Sequence, residues 1–382
     1  MPRRVIVLVL LLSYITLSLC GCWDAKDVDK LVFPIAAGYD VHQGDPGNMN
    51  QLSIGPLEEP QVDVSVLLPN LSPEATAKVT VEVMPAATVA YARDKRSYTN
   101  ASLYVTGFNK VILLGEDLAR QGTFAPMESL YRFPSVSHTM VLAVVDGRAD
   151  EVLKTPTPNF ENMGVYLNNL LRENKANSFI PTVNLHQFNV WQSPGNNPVL
   201  PLIKPGGING IILSGIAIFN KDHMVGKLNQ RQARALTLLR GIKSQGYLPL
   251  APQEEGEEQG TGFFDNDRKV EVERQGDSYS FKIKVILQGI IQELPHQSGQ
   301  PIDTSEVKKI EESLAQSIQQ DCTDLVQLMQ DEFKVDCIDI SKYAVANWRR
   351  EIKDQVDRPD FISNANIQVQ VEVKITNAGE QK

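Results

Sequence analysis

The 382-residue chain has only four cysteines and five histidines, and its histidines are scattered between positions 42 and 296. Zinc sites are built from Cys and His side chains at short, regular spacing, and that spacing does not occur here. The sequence also lacks the G-x-x-x-x-G-K-[ST] pattern of phosphate-binding loops and the G-x-S-x-G pattern of serine hydrolases. We therefore predict no metal, no cofactor and no catalytic residues. The two carboxylates of a glycosidase can be far apart in sequence, so a hydrolase stays open as an alternative.

An excess of positive charge is missing as well. The chain has 37 Lys and Arg against 46 Asp and Glu; without the two basic residues Arg3 and Arg4 the balance is 35 against 46, a net charge of −11. A negatively charged body does not favour nucleic acid or an anionic lipid surface. Attachment to a membrane would then depend on a lipid anchor or on protein partners.

No apolar run is long enough to span a bilayer. The apolar stretch Val5–Leu19 has about 15 residues, whereas a membrane-spanning helix needs about 20. It follows the basic residues Arg3 and Arg4 and ends in small residues, which is typical of a secretory signal peptide. We interpret residues 1–21 as this signal.

The signal ends at a cysteine that can accept lipid. Gly21 provides a small residue at the cleavage position and Leu19 an upstream apolar one, so we predict cleavage before Cys22 and acylation of its side chain. Cys20 would place the bulky Leu19 at the cleavage position. The alternative is an ordinary signal peptide with an incidental cysteine.

The remaining chain is predicted to divide at a segment rich in proline and glycine. Residues 193–207 contain residues that stop both helices and strands, so we predict a linker there between an N-terminal α+β region at 22–192 and a C-terminal α+β domain at 208–382. A second boundary at 155–158 would divide the first region into two subdomains. The acidic segment 254–258 is expected to be a solvated loop.

The C-terminal domain shows clear periodicity. Apolar and polar residues alternate at 279–287 and again at 367–375, as in antiparallel strands with one buried face. Helices are predicted at 230–240, between Asn229 and Gly241, and at 304–333, beginning at Asp303 or Thr304. A third helix is predicted at 341–356.

Two further expectations concern side chains of these helices. Cys322 falls on the apolar stripe of the helix at 304–333, and the chain back to Cys337 is too short to bridge the two positions, so we expect two free, buried thiols. Trp348 falls on the apolar stripe of the third helix, which we expect to face the last alternating strand. We expect its ring to belong to the core.

The N-terminal region mixes strands and helices without a regular βαβ alternation. Together with the C-terminal pattern this predicts an α+β, multi-domain fold with largely antiparallel or mixed sheets flanked by helices. The predicted elements are strands at 34–39, 62–68, 79–84, 104–114 and 139–145, and helices at 87–96, 116–120, 126–131, 150–153 and 161–174.

Several short motifs, taken in order, resemble the Ger(x)C lipoproteins of spore-forming Firmicutes. They are Cys22-Trp23-Asp24, Ala37-Gly38-Tyr39-Asp40, Gly215-Ile216-Ala217-Ile218-Phe219, Val225-Gly226-Lys227-Leu228, Leu236 to Gly241, and the terminal pattern of a long helix, Asp336, Trp348 and a last strand before Gly379. The resemblance spans nearly the whole mature chain. The acidic loop at 254–258 and the pair Cys322 and Cys337 depart from it.

The resemblance implies a function that composition and periodicity do not. Ger(x)C proteins are C subunits of nutrient germinant receptors, anchored by lipid on the outer face of the spore inner membrane. They act with an A subunit and a transporter-like B subunit, both integral membrane proteins, and no catalytic residues are known in the family. Only the lipid-acceptor role therefore transfers to a single residue, Cys22.

Two other classes of protein stay open as alternatives. The first is an extracytoplasmic solute-binding lipoprotein of a transporter, which would use two α/β lobes with parallel sheets around a cleft. The alternating strands favour antiparallel pairing instead. The second is a lipid-anchored hydrolase, for which no catalytic arrangement is visible.

Overall fold

The computed structural model describes residues 31–44, 59–70, 78–100, 102–176, 178–252, 259–276, 278–294 and 302–377, together with residues 5, 7 and 13. Apart from residues 5, 7 and 13, the predicted signal peptide lies outside the described residues, and so do Leu19, Gly21, Cys22 and the acidic segment 254–258. The described chain combines helices with mixed and antiparallel sheets. The α+β prediction is therefore confirmed.

The described residues before position 230 form ten strands. They are β1 (Leu31–Val32), β2 (Ala36–Val41), β3 (Val62–Pro69), β4 (Val79–Ala86), β5 (Leu103–Tyr104), β6 (Val111–Gly115), β7 (Val141–Val145), β8 (Val199–Pro205), β9 (Ile211–Asn220) and β10 (His223–Asn229). Eight of them form one sheet in the order β10-β9-β8-β7-β6-β2-β3-β4, while β1 pairs separately with β5.

The centre of the eight-stranded sheet is parallel. Strand β6 runs parallel to β2 and β7, and β7 runs parallel to β8. All five residues of β6 and all five of β7 are buried, because helices cover both faces of this part of the sheet. The prediction of no βαβ alternation is therefore wrong for this region. Strand pairing here consequently gives no argument against a solute-binding lipoprotein, whose lobes contain parallel sheets.

In the described part of this region, six α-helices accompany these strands. They are α1 (Val89–Thr99), α2 (Glu116–Gln121), α3 (Phe124–Arg132), α4 (Ala149–Lys154), α5 (Met163–Glu173) and α6 (Leu185–Val190). The Thr88 hydroxyl caps α1 and the Asn162 side chain caps α5, each by accepting a hydrogen bond from a backbone N–H of the first turn.

From residue 230 onward, the described residues add a four-stranded sheet and four α-helices. Its elements are α7 (Gln230–Arg240), β11 (Gln245–Leu250), β12 (Gly260–Gln275), β13 (Ser278–Glu293), α8 (Thr304–Leu328), α9 (Ser341–Ile352), α10 (Pro359–Ser363) and β14 (Asn366–Asn377). The sheet order is β11-β12-β13-β14, with β14 parallel to β13. Alternation alone had suggested antiparallel pairing for this last strand, but the chain crosses back through three helices before β14 begins.

The long helix α8 covers one face of this sheet. Its buried stripe comprises Ile310, Leu314, Ile318, Cys322, Leu325 and Val326. A π-helical turn at 329–333 follows α8, so the predicted helix at 304–333 is confirmed in its extent. Cys322 and Cys337 are both buried and free, as expected. Burial raises the pKa of both thiols, that of Cys337 to about 12.

Two local predictions are wrong. The predicted linker at 193–207 contains β8, which lies within the eight-stranded sheet between β7 and β9. The predicted helix at 341–356 ends at Ile352 and is broken at Trp348, where the backbone dihedrals leave the helical region. The Trp348 ring is only partly buried, and it meets the Tyr279 ring of β13 edge-on.

Candidate functional site

The chain enters the described body close to the predicted lipid anchor. Leu31 begins β1 nine positions after Cys22. Nine residues can span at most roughly 30 Å when fully extended. The β1–β5 pair and the segment that follows β5 therefore form the part of the body that the predicted anchor would hold nearest to a membrane.

A small cavity lies just behind this end of the molecule. Its volume is about 50 Å³, and it is bounded by α1, by the neighbouring faces of β2 and β3, and by residues on either side of β6. This volume corresponds to about three or four water molecules. Apolar side chains form much of its wall, and its polar lining residues are Tyr39, Arg93, Arg96, Tyr104, Thr106 and Asn109.

Arg96 is the most deeply buried charge in this cavity. Its side chain belongs to a residue that is 4% exposed, and one Nη donates a hydrogen bond to the carbonyl of Val64. The Nε atom is buried without a hydrogen-bond partner. Burial lowers the pKa of Arg96, yet an arginine remains charged at any physiological pH. Among the described residues, no carboxylate forms an ion pair with it.

Arg93 lies one turn earlier on the same face of α1. Its guanidinium carbon is 3.8 Å from the centre of the Phe133 ring, a cation–π contact. The residue is partly buried, and burial lowers the pKa of its guanidinium. The nearby Tyr39 is 3% exposed, and burial raises the pKa of its phenol to about 12. The cavity thus combines two guanidinium groups with a neutral phenol.

The carboxylate of Glu82, whose charge acts on Arg96, already accepts two hydrogen bonds. Tyr104 donates its hydroxyl hydrogen to Glu82 Oε2 at 2.5 Å, and Asn100 Nδ2 donates to the same oxygen at 3.2 Å. Asn100 also donates to the Tyr104 hydroxyl at 2.6 Å. Burial raises the pKa of Tyr104, and the bond to Glu82 raises it further. The Asn109 amide oxygen, also part of the cavity lining, is buried without a hydrogen-bond partner.

Sequence reasoning missed this cavity, although one signal was present. The buried residues of α1 are Val89 and Ala92 and, one turn later, the basic residues Lys95 and Arg96. A basic residue on the buried stripe of a short helix is unusual, because burying an unpaired charge is costly. That departure from the apolar pattern is what could have singled out Arg96.

A second cleft lies in the C-terminal half. It is larger, about 270 Å³, and is lined by Tyr279 together with residues around α10, including Arg358, Asp360 and Phe361. The Tyr279 hydroxyl is buried without a partner, but Arg358 and Asp360 are exposed to solvent. Water satisfies exposed charges of this kind, so this cleft has a weaker claim to a bound ligand.

A third cluster of charges lies where the parallel strands β2 and β7 end. Asp40 accepts hydrogen bonds from the backbone N–H groups of Ala149 and Asp150, and so caps the start of α4. Burial raises the pKa of Asp40, although these two donors oppose the shift. Arg148 joins Asp63 at 3.0 Å and Asp150 at 2.8 Å. The carboxylates of Asp40, Asp63 and Asp150 thus each have hydrogen-bond or ion-pair partners within the cluster, which indicates a structural role.

His42 is attached to the same cluster. Its Nδ1 lies 2.6 Å from Asp63 Oδ1, and its Nε2 is buried without a partner. An Asp–His pair would need a hydroxyl or thiol nucleophile at Nε2 to resemble a catalytic triad. No such group of the described residues is hydrogen-bonded to that nitrogen.

A buried polar network connects the two halves of the chain. Arg240 at the end of α7 donates to the carbonyl of Asn197 at 2.9 Å and to the carbonyl of Cys337 at 2.7 Å. Its guanidinium also lies over the Trp191 ring at 4.4 Å. Asp336 accepts hydrogen bonds from three backbone N–H groups at 338–341. Arg240 and Asp336, two residues of the resemblance, therefore hold the segment 336–341 against the first half.

Within the described ranges, no group of three or more His, Cys, Asp or Glu side chains could hold a metal ion. None of the helices in the same ranges is long and apolar enough to cross a membrane.

The described chain is an α+β protein with an eight-stranded and a four-stranded sheet joined by the buried network around Arg240. Comparison with known proteins identifies its class. Residues 24–205 match the family described as "Spore germination protein N-terminal domain", and residues 214–379 match "Spore germination B3/ GerAC like, C-terminal". The chain therefore belongs to the Ger(x)C spore germination family, that of the germinant receptor C subunits.

Individual relatives agree with this assignment. The chain is 24% identical to spore germination protein GerQC of Bacillus cereus over 276 residues, which cover 71% of this chain and 74% of the relative. It is 21% identical to spore germination protein B3 of Bacillus subtilis over 376 residues, 96% of each chain. The crystal structure of the GerBC protein superposes with a TM-score of 0.56 at 17% identity, covering 93% of this chain and all of the other, which shows a shared fold.

Proposed function

We propose that the chain is a lipid-anchored, non-enzymatic C subunit of a nutrient germinant receptor. Acylation of Cys22 would hold it on the extracytoplasmic face of the spore inner membrane, in contact with the integral-membrane A and B subunits. The observation that carries the proposal is the match of both halves of the chain to the two domains of one spore germination family. A tether raises the local concentration of the subunit near its partners, so modest contacts suffice.

The end of the body nearest the predicted anchor supports a contact role. Leu103 in β5 is 51% exposed and Phe108 is 60% exposed, and the two lie on the segment that β1 reaches directly after the tether. The Phe108 ring packs edge-on against Phe33 at 4.9 Å, which holds it in place. Exposed apolar side chains in one region favour contact with another protein. The short tether makes a membrane-embedded A or B subunit the expected partner.

The anchor is tested by exchanging single cysteines. Cys22→Ala should leave the protein unprocessed or released from the membrane and should abolish nutrient-triggered germination. Cys20→Ala is the matched control, because Cys20 is removed with the signal. Mass spectrometry of the mature N-terminus should find an acylated Cys22 in the wild type and in the control. A mature chain beginning at an unmodified residue contradicts the anchor.

The contact surface is tested by a second pair of variants. Leu103→Ser combined with Phe108→Ser should impair nutrient germination while the amount of protein in spores stays normal. Ile208→Ser is the control, since Ile208 is an 87% exposed apolar residue on the turn between β8 and β9. Germination by routes that bypass the receptors should persist in all strains. Equal nutrient responses in the double variant and the control would exclude this surface.

A further inference from the structure

We propose that the cavity beneath α1 binds a small carboxylate anion without an ammonium group, and that Arg96 and Arg93 hold its carboxylate. This site goes beyond the receptor role, because binding to the purified chain does not depend on partner subunits.

The first argument is the uncompensated charge. Arg96 is 4% exposed and has a buried Nε atom without a hydrogen-bond partner, while Arg93 lines the same cavity. A buried charge is costly unless an opposite charge or hydrogen bonds compensate for it. Neither guanidinium has a carboxylate ion pair among the described residues. An anion in the cavity would supply the missing partner of Arg96, and Arg93, which stacks on Phe133, would add a second positive charge beside it.

The second argument is size and polarity. A cavity of about 50 Å³ takes a ligand of only a few non-hydrogen atoms. Val64, Val66 and Met140 contribute apolar wall, which suits a short alkyl group better than a fully hydrated anion. The planar guanidinium matches a carboxylate in geometry. Acetate and propionate have the required size, charge and apolar end.

The third argument concerns what the site would reject. An amino acid carries an ammonium group, and the described lining residues offer it the neutral amide oxygen of Asn109 but no carboxylate, since the nearby Glu82 is already bonded to Tyr104 and Asn100. The two arginines would also repel a second positive charge. Propionate and alanine differ by this ammonium group alone. The cavity should therefore bind propionate and discriminate against alanine.

The test uses the purified full chain in detergent, in a buffer free of carboxylates, with ligand-detected NMR titration of propionate. Propionamide, alanine and inorganic phosphate are titrated in parallel. We expect each of the three to bind at least tenfold more weakly than propionate. Phosphate binding as tight as propionate, or alanine binding as tight, overturns the proposed ligand class.

Variants locate the binding. Arg93→Gln should weaken propionate binding at least tenfold without unfolding the chain, because the described structure shows no hydrogen bond from the Arg93 side chain. Arg132→Gln makes the same change of charge at a side chain that is 79% exposed, and should bind propionate as the wild type does. Arg96→Lys keeps the charge but loses the planar donor, and should weaken binding too. Equal affinities for Arg93→Gln and Arg132→Gln, or no binding by the wild type, overturn the proposal.

Failure of this test would not affect the receptor proposal. The anchor and germination experiments do not involve the cavity, and the titrations require neither spores nor partner subunits. Loss of germination in Cys22→Ala with no propionate binding would reject only the cavity proposal. Propionate binding with normal germination in Cys22→Ala would reject only the receptor proposal.

Discussion

Replacing Arg240 with methionine should weaken the connection between the two halves of the chain. Arg240 is 3% exposed, and it donates to the carbonyls of Asn197 in the first half and Cys337 in the second. Hydrogen bonds from a charged group contribute about 1.5–3 kcal/mol each. Losing both costs about 3–6 kcal/mol, and losing the contact with the Trp191 ring adds about 0.5–1 kcal/mol.

The removal of a buried charge offsets part of this loss. Desolvation lowers the pKa of Arg240, while the nearby Asp339 and Asp336 oppose that shift. Methionine needs no desolvation, but it leaves these two acidic groups without their positive neighbour. We therefore expect a net loss of about 3 kcal/mol in the free energy of unfolding. That is a substantial share of the 5–15 kcal/mol typical of a folded domain.

Urea unfolding of the full chain in detergent measures this loss. Arg231→Met is the matched control on the same helix, because Arg231 is 69% exposed and pairs with Asp321 on α8. Solvent screens the exposed guanidinium of Arg231, so this ion pair, whose Asp321 side chain is 8% exposed, is expected to contribute about 1 kcal/mol. The reasoning is refuted if Arg240→Met and Arg231→Met differ by less than about 1 kcal/mol.

Three further predictions concern other parts of the fold. Trp348→Ala should lower the free energy of unfolding, measured with urea, by about 2 kcal/mol. A fully buried ring would cost about 3–5 kcal/mol, but the Trp348 ring is only partly buried against Tyr279. A loss above about 4 kcal/mol would show that the ring belongs to the core. The thiols of Cys322 and Cys337 should resist alkylation in the native chain at pH 8 and react after denaturation, because their raised pKa values keep them protonated. Rapid alkylation of the native chain would show instead that the thiols are accessible. Gly215→Ala should lower the free energy of unfolding and the yield of folded chain, because a Cβ at this position would overlap a backbone carbonyl of β10. Unchanged circular dichroism and stability would show that β9 and β10 do not approach so closely at Gly215.

Elements with strong local signals could be predicted from the sequence. Asn229 and Gln232 form a capping box at the start of α7, and Gly241 ends this helix with a positive φ of 68°, so both ends were predictable. The hairpin of β12 and β13 combines long alternation with a turn at Gly276, which also has a positive φ. In these segments local propensity and tertiary packing favour the same structure.

Strand β8 could not be predicted because tertiary pairing overrides its proline content. Pro201 has no backbone N–H to donate, and a strand in the middle of a sheet normally excludes it. The pairing of β8 with β7 begins only at Leu202, one residue later. The absent N–H of Pro201 therefore lies outside the hydrogen-bonded pairing of β8 with β7. On its other side, β8 pairs with β9 along its whole length.

The break in α9 and the cavity could not be predicted for different reasons. The apolar spacing of Val345, Trp348 and Ile352 fits a straight helix, and only the three-dimensional packing reveals the break at Trp348. The cavity is assembled from side chains between positions 34 and 140 that meet only after the sheet has formed. The lipid-acceptor prediction at Cys22 stays a prediction, since that residue lies outside the described part of the chain.

Co-isolation from spore inner membranes tests the receptor-subunit proposal most directly. The full chain, tagged at its C-terminus, is crosslinked in intact spores, captured, and its partners are identified by mass spectrometry. We expect the integral-membrane A and B subunits with the wild type and with Cys20→Ala, and their loss with Cys22→Ala. A wild-type chain that is membrane-bound but recovers neither the A nor the B subunit would contradict the proposed function.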